Sequence, residues 1–175
     1  MKRTPLRLLL AVASAVCAWY LLREFNAPPS DEVLTKNFQD RRLAYERLRD
    51  LLLADGTVLD VADWGVRTAG SPLAFKPPVA ALSMERYHQY LALLKETGGE
   101  RVGRSESGLA EACVAVWANG FAGDTRHESV CWLPQPPLDL VATLAEIEKQ
   151  SASAGGKRTV VFKHMESNWY LERDE

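Results

Sequence analysis

"LAEACVAVWANGFAGDTRHESVCWLP", Leu109 to Pro134, is the stretch whose reading decides the fold. Small and β-branched residues alternate in "LAEACVAVWANGF" and "RHESVCWLP", and the joint Ala122-Gly123-Asp124-Thr125 has turn composition. The pattern predicts a β-hairpin. Cys113 and Cys131 are equidistant from a turn centred near Ala122, so they should face each other across adjacent antiparallel strands. In an oxidising compartment such a pair forms a disulfide if its geometry is satisfied. The other reading is two reduced thiols packed as small hydrophobes.

A second hairpin follows at the end of the chain. "KRTVVFKHM" and "NWYLERDE" flank Glu166-Ser167-Asn168. Between the hairpins, Pro136 and Pro137 precede a predicted helix with Leu140, Val141, Leu144 and Ile147 on one face, closed by "SASAGG" at 151–156. Upstream, Ser83 caps a helix whose apolar face is Met84, Tyr87, Leu91 and Leu94, and Gly98-Gly99 ends it. Residues 67–82 contain Gly70, Pro72, Pro77 and Pro78 and read as a long loop. "TVLDVADWGV", 57–66, reads as one strand. Before it, Leu34, Phe38, Tyr45, Leu48 and Leu52 recur at helical spacing, so a single helix is expected from Ser30 to Gly56.

The resulting order is α-β-α-β-β-α-β-β. Two hairpins and few βαβ units imply an α+β domain, a mainly antiparallel sheet of about five strands with three helices on one face. Three segments follow from this: 1–25, apolar; 26–30, the linker "NAPPS"; and 31–175, the α+β body.

The first segment carries "LLLAVASAVCAWYLL", Leu8 to Leu22. Lys2, Arg3 and Arg7 precede the apolar run and Arg23 follows it. Leu8, Leu9, Leu10, Leu21 and Leu22 make it apolar, and Trp19 and Tyr20 sit where aromatic residues anchor at an interface. We read it as an uncleaved membrane anchor, with the N-terminus cytoplasmic and the body in the periplasm, and the inner membrane as the site. A cleaved signal, leaving a secreted or periplasmic protein, is the alternative, because the run is short for a span. Without the segment's four basic residues and one acid, the body keeps 17 basic and 22 acidic residues. That balance argues against nucleic acid as a partner.

The search for chemistry is largely negative. His88, His127 and His164 have no second histidine, cysteine or carboxylate at a metal-site spacing, so no metal and no cofactor is expected. "GRSESG", 103–108, misses the G-x-S-x-G pattern. Asp60 and Asp63 stand three apart on a predicted strand and point to opposite faces. No catalytic residue is assigned. Trp64, Trp117, Trp132 and Trp169 fall on predicted strands; with Tyr170 they are the partner-binding candidates, Trp169 and Tyr170 on opposite faces. The expectation is therefore a membrane-tethered, non-enzymatic domain that binds another protein of the envelope, as an assembly accessory or in an immunity-type role. Two other classes stay open. One is an exported hydrolase or thiol enzyme using Ser105, Ser107, Cys113 or His127. The other is a carrier of a small apolar ligand.

Overall fold

The computed structural model of the chain describes residues 27–71, 73–104, 112–121, 124–147 and 159–174. The segment 1–25, with its expected anchor residues, and the "SESG" serines at 105 and 107 lie outside them. The described residues form an α+β domain with three α-helices and a seven-stranded, wholly antiparallel sheet. No helix among them is long and apolar enough to cross a membrane.

The helical region before the sheet is two helices where one was expected. Ser30 caps α1 (Asp31–Asp40), accepting from the Val33 N–H at 3.4 Å, and Asp31 and Glu32 occupy its positive first turn. Arg41 leaves helical geometry at φ −125°, and α2 (Arg42–Ala54) begins beyond it. The break re-aims the apolar stripe. α1 lies on the last strand and α2 on the central hairpin, and Leu34, Phe38, Tyr45, Leu48 and Leu52 are all buried.

The stretch 57–66 is also corrected. It is a tight hairpin, β1 (Val58–Ala62) and β2 (Gly65–Thr68), turning at Asp63-Trp64. Gly65 has φ +149°, and a Cβ there would stand 2.8 Å from the Phe75 carbonyl oxygen, so the turn needs glycine. The loop that follows is held to the sheet edge by the Val66–Phe75 bridge. Ser83 then caps α3 (Met84–Thr97), and Gly98 ends it in the left-handed region, φ +74°. Its core residues are Tyr87, Tyr90, Leu94 and Thr97; Met84, expected on the apolar face, is exposed.

A three-residue strand, β3 (Arg101–Gly103), was not foreseen. The predicted central hairpin is present as β4 (Ala112–Phe121) and β5 (Asp124–Trp132). Cys113 faces Cys131, and their sulfurs form a disulfide at 2.02 Å. The turn is tighter than expected, because Phe121 already pairs with Asp124. One extra residue, Val116, bulges from β4 and restores the Cys113–Cys131 register.

The start of the helix expected after Pro137 is replaced. Residues 139–141 run extended beside β6 (Val160–Glu166): Val141 N–H donates to the Phe162 oxygen at 2.8 Å, and Phe162 N–H to the Asp139 oxygen at 2.9 Å. Among the described residues a 3-10 turn, Leu144–Glu146, follows, with Leu144 and Ile147 buried as a helix face would bury them; the rest of the expected helix, to 151–156, lies outside those residues. Tertiary pairing to a sheet edge has overridden local helical spacing. β7 (Trp169–Asp174) closes the chain's last hairpin, and the sheet order is β2-β1-β3-β4-β5-β7-β6.

The main core fills the space between sheet and helices. At its centre the Phe38, Tyr45 and Trp169 rings lie 5.2 to 6.2 Å apart. Contacts of this kind add roughly 0.5–1.5 kcal/mol per pair beyond area burial. On the opposite face a smaller cluster joins Cys131, Leu133, Phe162 and Tyr170.

Burial raises the phenol pKa of Tyr45, and that of Tyr90, which also donates to Asp55 at 2.9 Å. The neutral forms are therefore favoured in the fold. Stability from this source is fully present below the unfolded tyrosine value, roughly pH 10, and falls as pH rises beyond it. Phenolate absorbance near 295 nm should show these two rings ionising only as the protein unfolds at strongly alkaline pH. Ionisation of all tyrosines while circular dichroism remains native would contradict the burial described.

Candidate functional site

The β4–β5 hairpin outruns its neighbour. β3 pairs with β4 only from Cys113 to Ala115, whereas β4 stays paired to β5 as far as Phe121. Where β3 stops, a groove of about 650 Å³ opens at the end of the sheet. The last turns of α3 supply one wall with Leu91, Leu94 and Lys95. The β1–β2 turn supplies another with Asp63 and Trp64. Ala115 and Ala118 of β4 form a low floor, and Arg101 and His127 stand at its sides.

The Trp64 wall is fixed in place. The Tyr87 hydroxyl lies 2.8 and 2.9 Å from the carbonyl oxygens of Ala62 and Asp63, and Lys76 Nζ donates to the Asp63 oxygen at 2.9 Å. The turn's backbone is thus tied to α3 and to the following loop. Its indole stays half in solvent, 50% exposed. Leu73 and Phe75, on that same loop, are exposed too. A large aromatic surface on a pinned turn loses little freedom on binding.

Charge lines the near side. Asp60 is buried and pairs with Arg67, its cross-strand neighbour; Arg101 Nη1 lies 3.7 Å from its other oxygen. Gly103 permits this arrangement, since a Cβ there would sit 2.3 Å from Asp60 Oδ1. Asp63 is in the turn, and the two acids do not converge, as the sequence implied.

At the far side His127, from β5, faces β7. Its Nε2 is 3.6 Å from Asp174 Oδ2 and 3.8 Å from Glu172 Oε1. Both carboxylates are buried. Glu172 Oε2 also lies 3.0 Å from Cys131 Sγ and 3.5 Å from Cys113 Sγ. Sequence spacing missed this trio, because Glu172 and Asp174 reach His127 only through the β5–β7 register, which sets His127 opposite Asp174 and Ser129 opposite Glu172.

The other singled-out residues separate clearly. Trp169 is 2% exposed inside the main core, and Tyr170 lies in the smaller cluster, so neither offers surface to a partner. Trp132 is half-buried under the Arg49 guanidinium, 5.4 Å from its ring centroid. Trp117 is half-buried beyond the Val116 bulge, opposite Glu128. Trp64 alone of the five is exposed, and it lines the groove. Cys113 is bonded to Cys131 and carries no thiol, so in this state it offers no thiolate nucleophile. His88 and His164 are exposed and apart from the groove. No protein-family model matches the chain, and searches of curated proteins and of solved structures return no match.

Two tryptophans of the same sheet should respond differently to truncation. Trp169→Ala removes a fully packed core ring and should cost about 3–5 kcal/mol in urea unfolding. Trp64→Ala should change stability by no more than about 0.5 kcal/mol. Equal losses at both positions would mean that Trp64 is structural and the groove wall is not a free surface.

Proposed function

We propose that the domain is a non-enzymatic, protein-binding module, held at the inner membrane by its N-terminal segment with its body in the periplasm. The observation that carries the binding part is the unextended half of β4. Beyond Ala115 this strand borders a groove with a pinned, exposed tryptophan at its mouth. A strand that borders a groove takes up an extended segment of another chain, and neighbouring pockets select its side chains. Trp64 would cover such a segment, and Ala115 and Ala118 leave room beneath it. Lys95, Glu100 and Arg101 give the rim mixed charge, which suits a polypeptide better than the phosphates of nucleic acid.

The disulfide supports an oxidising compartment. With the apolar run at Leu8–Leu22 and its basic flank, it supports a body exported behind a retained anchor. Within that setting the module serves either as an envelope-assembly accessory or as a binder of the immunity type.

Binding is tested in the intact cell. A photo-reactive side chain at position 64 should give one discrete protein adduct, and the same group at position 138, where Leu138 is 99% exposed, should not give it. Ala118→Arg, which fills the groove floor, should abolish the adduct. The same products from both positions, or an adduct indifferent to Ala118→Arg, would count against the groove.

Location is tested separately by intact mass after alkylation without reductant. The expected result is a full-length chain, resistant to alkaline extraction, with Cys113 and Cys131 unlabelled. A chain shorter by roughly 15–25 residues would replace the anchor by a cleaved signal. Label on both cysteines would remove the body from the periplasm.

A further inference from the structure

We propose that the loop 134–140, led by Leu138 and Leu140, docks into the interfacial layer of the same bilayer that holds the N-terminal segment. This rests on the retained-anchor reading above. Leu138 is 99% exposed and Leu140 48%, and Pro134, Gln135 and Pro136 are exposed beside them. Asp139 is the one charged residue of the stretch. Along an extended backbone Leu138 and Leu140 share a side and Asp139 takes the other. Single exposed leucines are ordinary on a soluble surface, whereas a continuous apolar run marks a contact site.

The tether decides what covers the loop. Residues 26–30 are all that separates the segment 1–25 from α1. Six chain steps lead from Phe25 to Asp31, at most about 20 Å when fully extended. Asp31 is fixed beside the loop's continuation. Its Oδ2 accepts from the Leu144 N–H at 3.0 Å and from Lys163 Nζ at 3.1 Å. Lys163 belongs to β6, the edge strand that residues 139–141 flank. The bilayer surface is thus held within about 20 Å of Asp31, at the sheet edge that carries Leu138 and Leu140. The exposed Leu73 and Phe75 lie on the loop bound to β2, the opposite edge. Six strand spacings, about 29 Å, separate the two edges.

The loop's backbone suits a layer poor in water. Pro134, Pro136 and Pro137 have no N–H to leave unpaired. The Asp139 carbonyl accepts from the Phe162 N–H, and the Val141 N–H donates to the Phe162 oxygen. Unpaired backbone groups are what bars irregular chain from lipid, so a loop with few of them enters the boundary at small cost. Because the anchor makes the contact intramolecular, two leucines suffice to hold it. The consequence is an oriented body. Its β6 edge rests on the membrane, and the Trp64 turn, at the far edge, points into the periplasm.

The full chain, with Cys113 and Cys131 bonded, is reconstituted in phosphatidylcholine vesicles and spin-labelled at one site at a time. Wild-type Cys17 reports the anchor. In a Cys17→Ser background, Leu138→Cys reports the loop. Leu73→Cys, at a position 63% exposed on the opposite edge, controls for the label's own affinity for lipid. Collisions with oxygen, which concentrates in lipid, are compared with those of a water-soluble nickel chelate. We expect oxygen to dominate at 17 and at 138, with 138 about 5–10 Å into the boundary, and nickel to dominate at 73. With the label moved to Leu140→Cys, adding Leu138→Asp should restore nickel contact. Oxygen dominance at 17 with nickel dominance at 138 overturns the docking and leaves the anchor standing. Nickel dominance at 17 removes the anchor and the docking with it. A label at 138 shielded from both reagents, as by a second copy or another protein, overturns the docking. So does oxygen dominance at 138 and 73 alike, or at 140 despite Leu138→Asp.

Discussion

Val116 is one residue more than a regular ladder needs, and the rest of the sheet depends on it. With Phe121 paired to Asp124, an unbroken ladder would set Cys113 opposite Trp132 and Val114 opposite Cys131. A slip of one residue sends every side chain of a strand to the wrong face. Val114 and Val130 would no longer share the helix side, and the cysteines would not meet. The bulge absorbs the difference, so that Cys113 opposes Cys131 and Val114 opposes Val130. It also marks where β4 parts company with β3, whose pairing ends at Ala115. Disulfide, core and groove thus share one origin in the register of β4.

The last strand shows how the two faces acquire different work. In β7, Trp169 and Leu171 enter the main core while Tyr170 joins the opposite cluster, and further on Arg173 alternates with Glu172 and Asp174. All six are buried. The strand therefore runs from an apolar end to an ionic end without leaving the interior. Arg173 is matched on its side by Glu128, directly across β5. Such a buried pair adds little net stability, yet separating it is costly, so it resists a shift of β7 along β5. The same register fixes Glu172 and Asp174 about His127 on the other side. Placement of this trio is a by-product of pairing that the core already demands.

Much of this was legible in the sequence, and the failures have physical causes. Alternation revealed both long hairpins, serines at positions 30 and 83 revealed two helix starts, and symmetry about Ala122 revealed the cysteine pair. The β1–β2 hairpin was hidden because Trp64, a good strand former, occupies the turn, and Gly65 gave the only hint of it. β3 has three residues, too few to show a period. Residues 138–147 carry helical spacing, but Asp139 and Val141 spend backbone bonds on Phe162 of β6. The site was the least legible part. Motif reading looks for ligands a few residues apart on one element, whereas His127 and Asp174 are neighbours only through strand order, which local patterns do not specify.

Glu172 links the chemistry of the sulfurs to that of the site. With Cys113 and Cys131 bonded, neither sulfur donates a proton, and the carboxylate beside them faces His127 with its other oxygen. With the bond reduced, two thiols would stand within reach of Oε2 and supply weak donors. An attacking thiolate must approach these sulfurs past buried negative charge, which opposes exchange. In the bonded state the groove retains a fixed floor of Ala115 and Ala118.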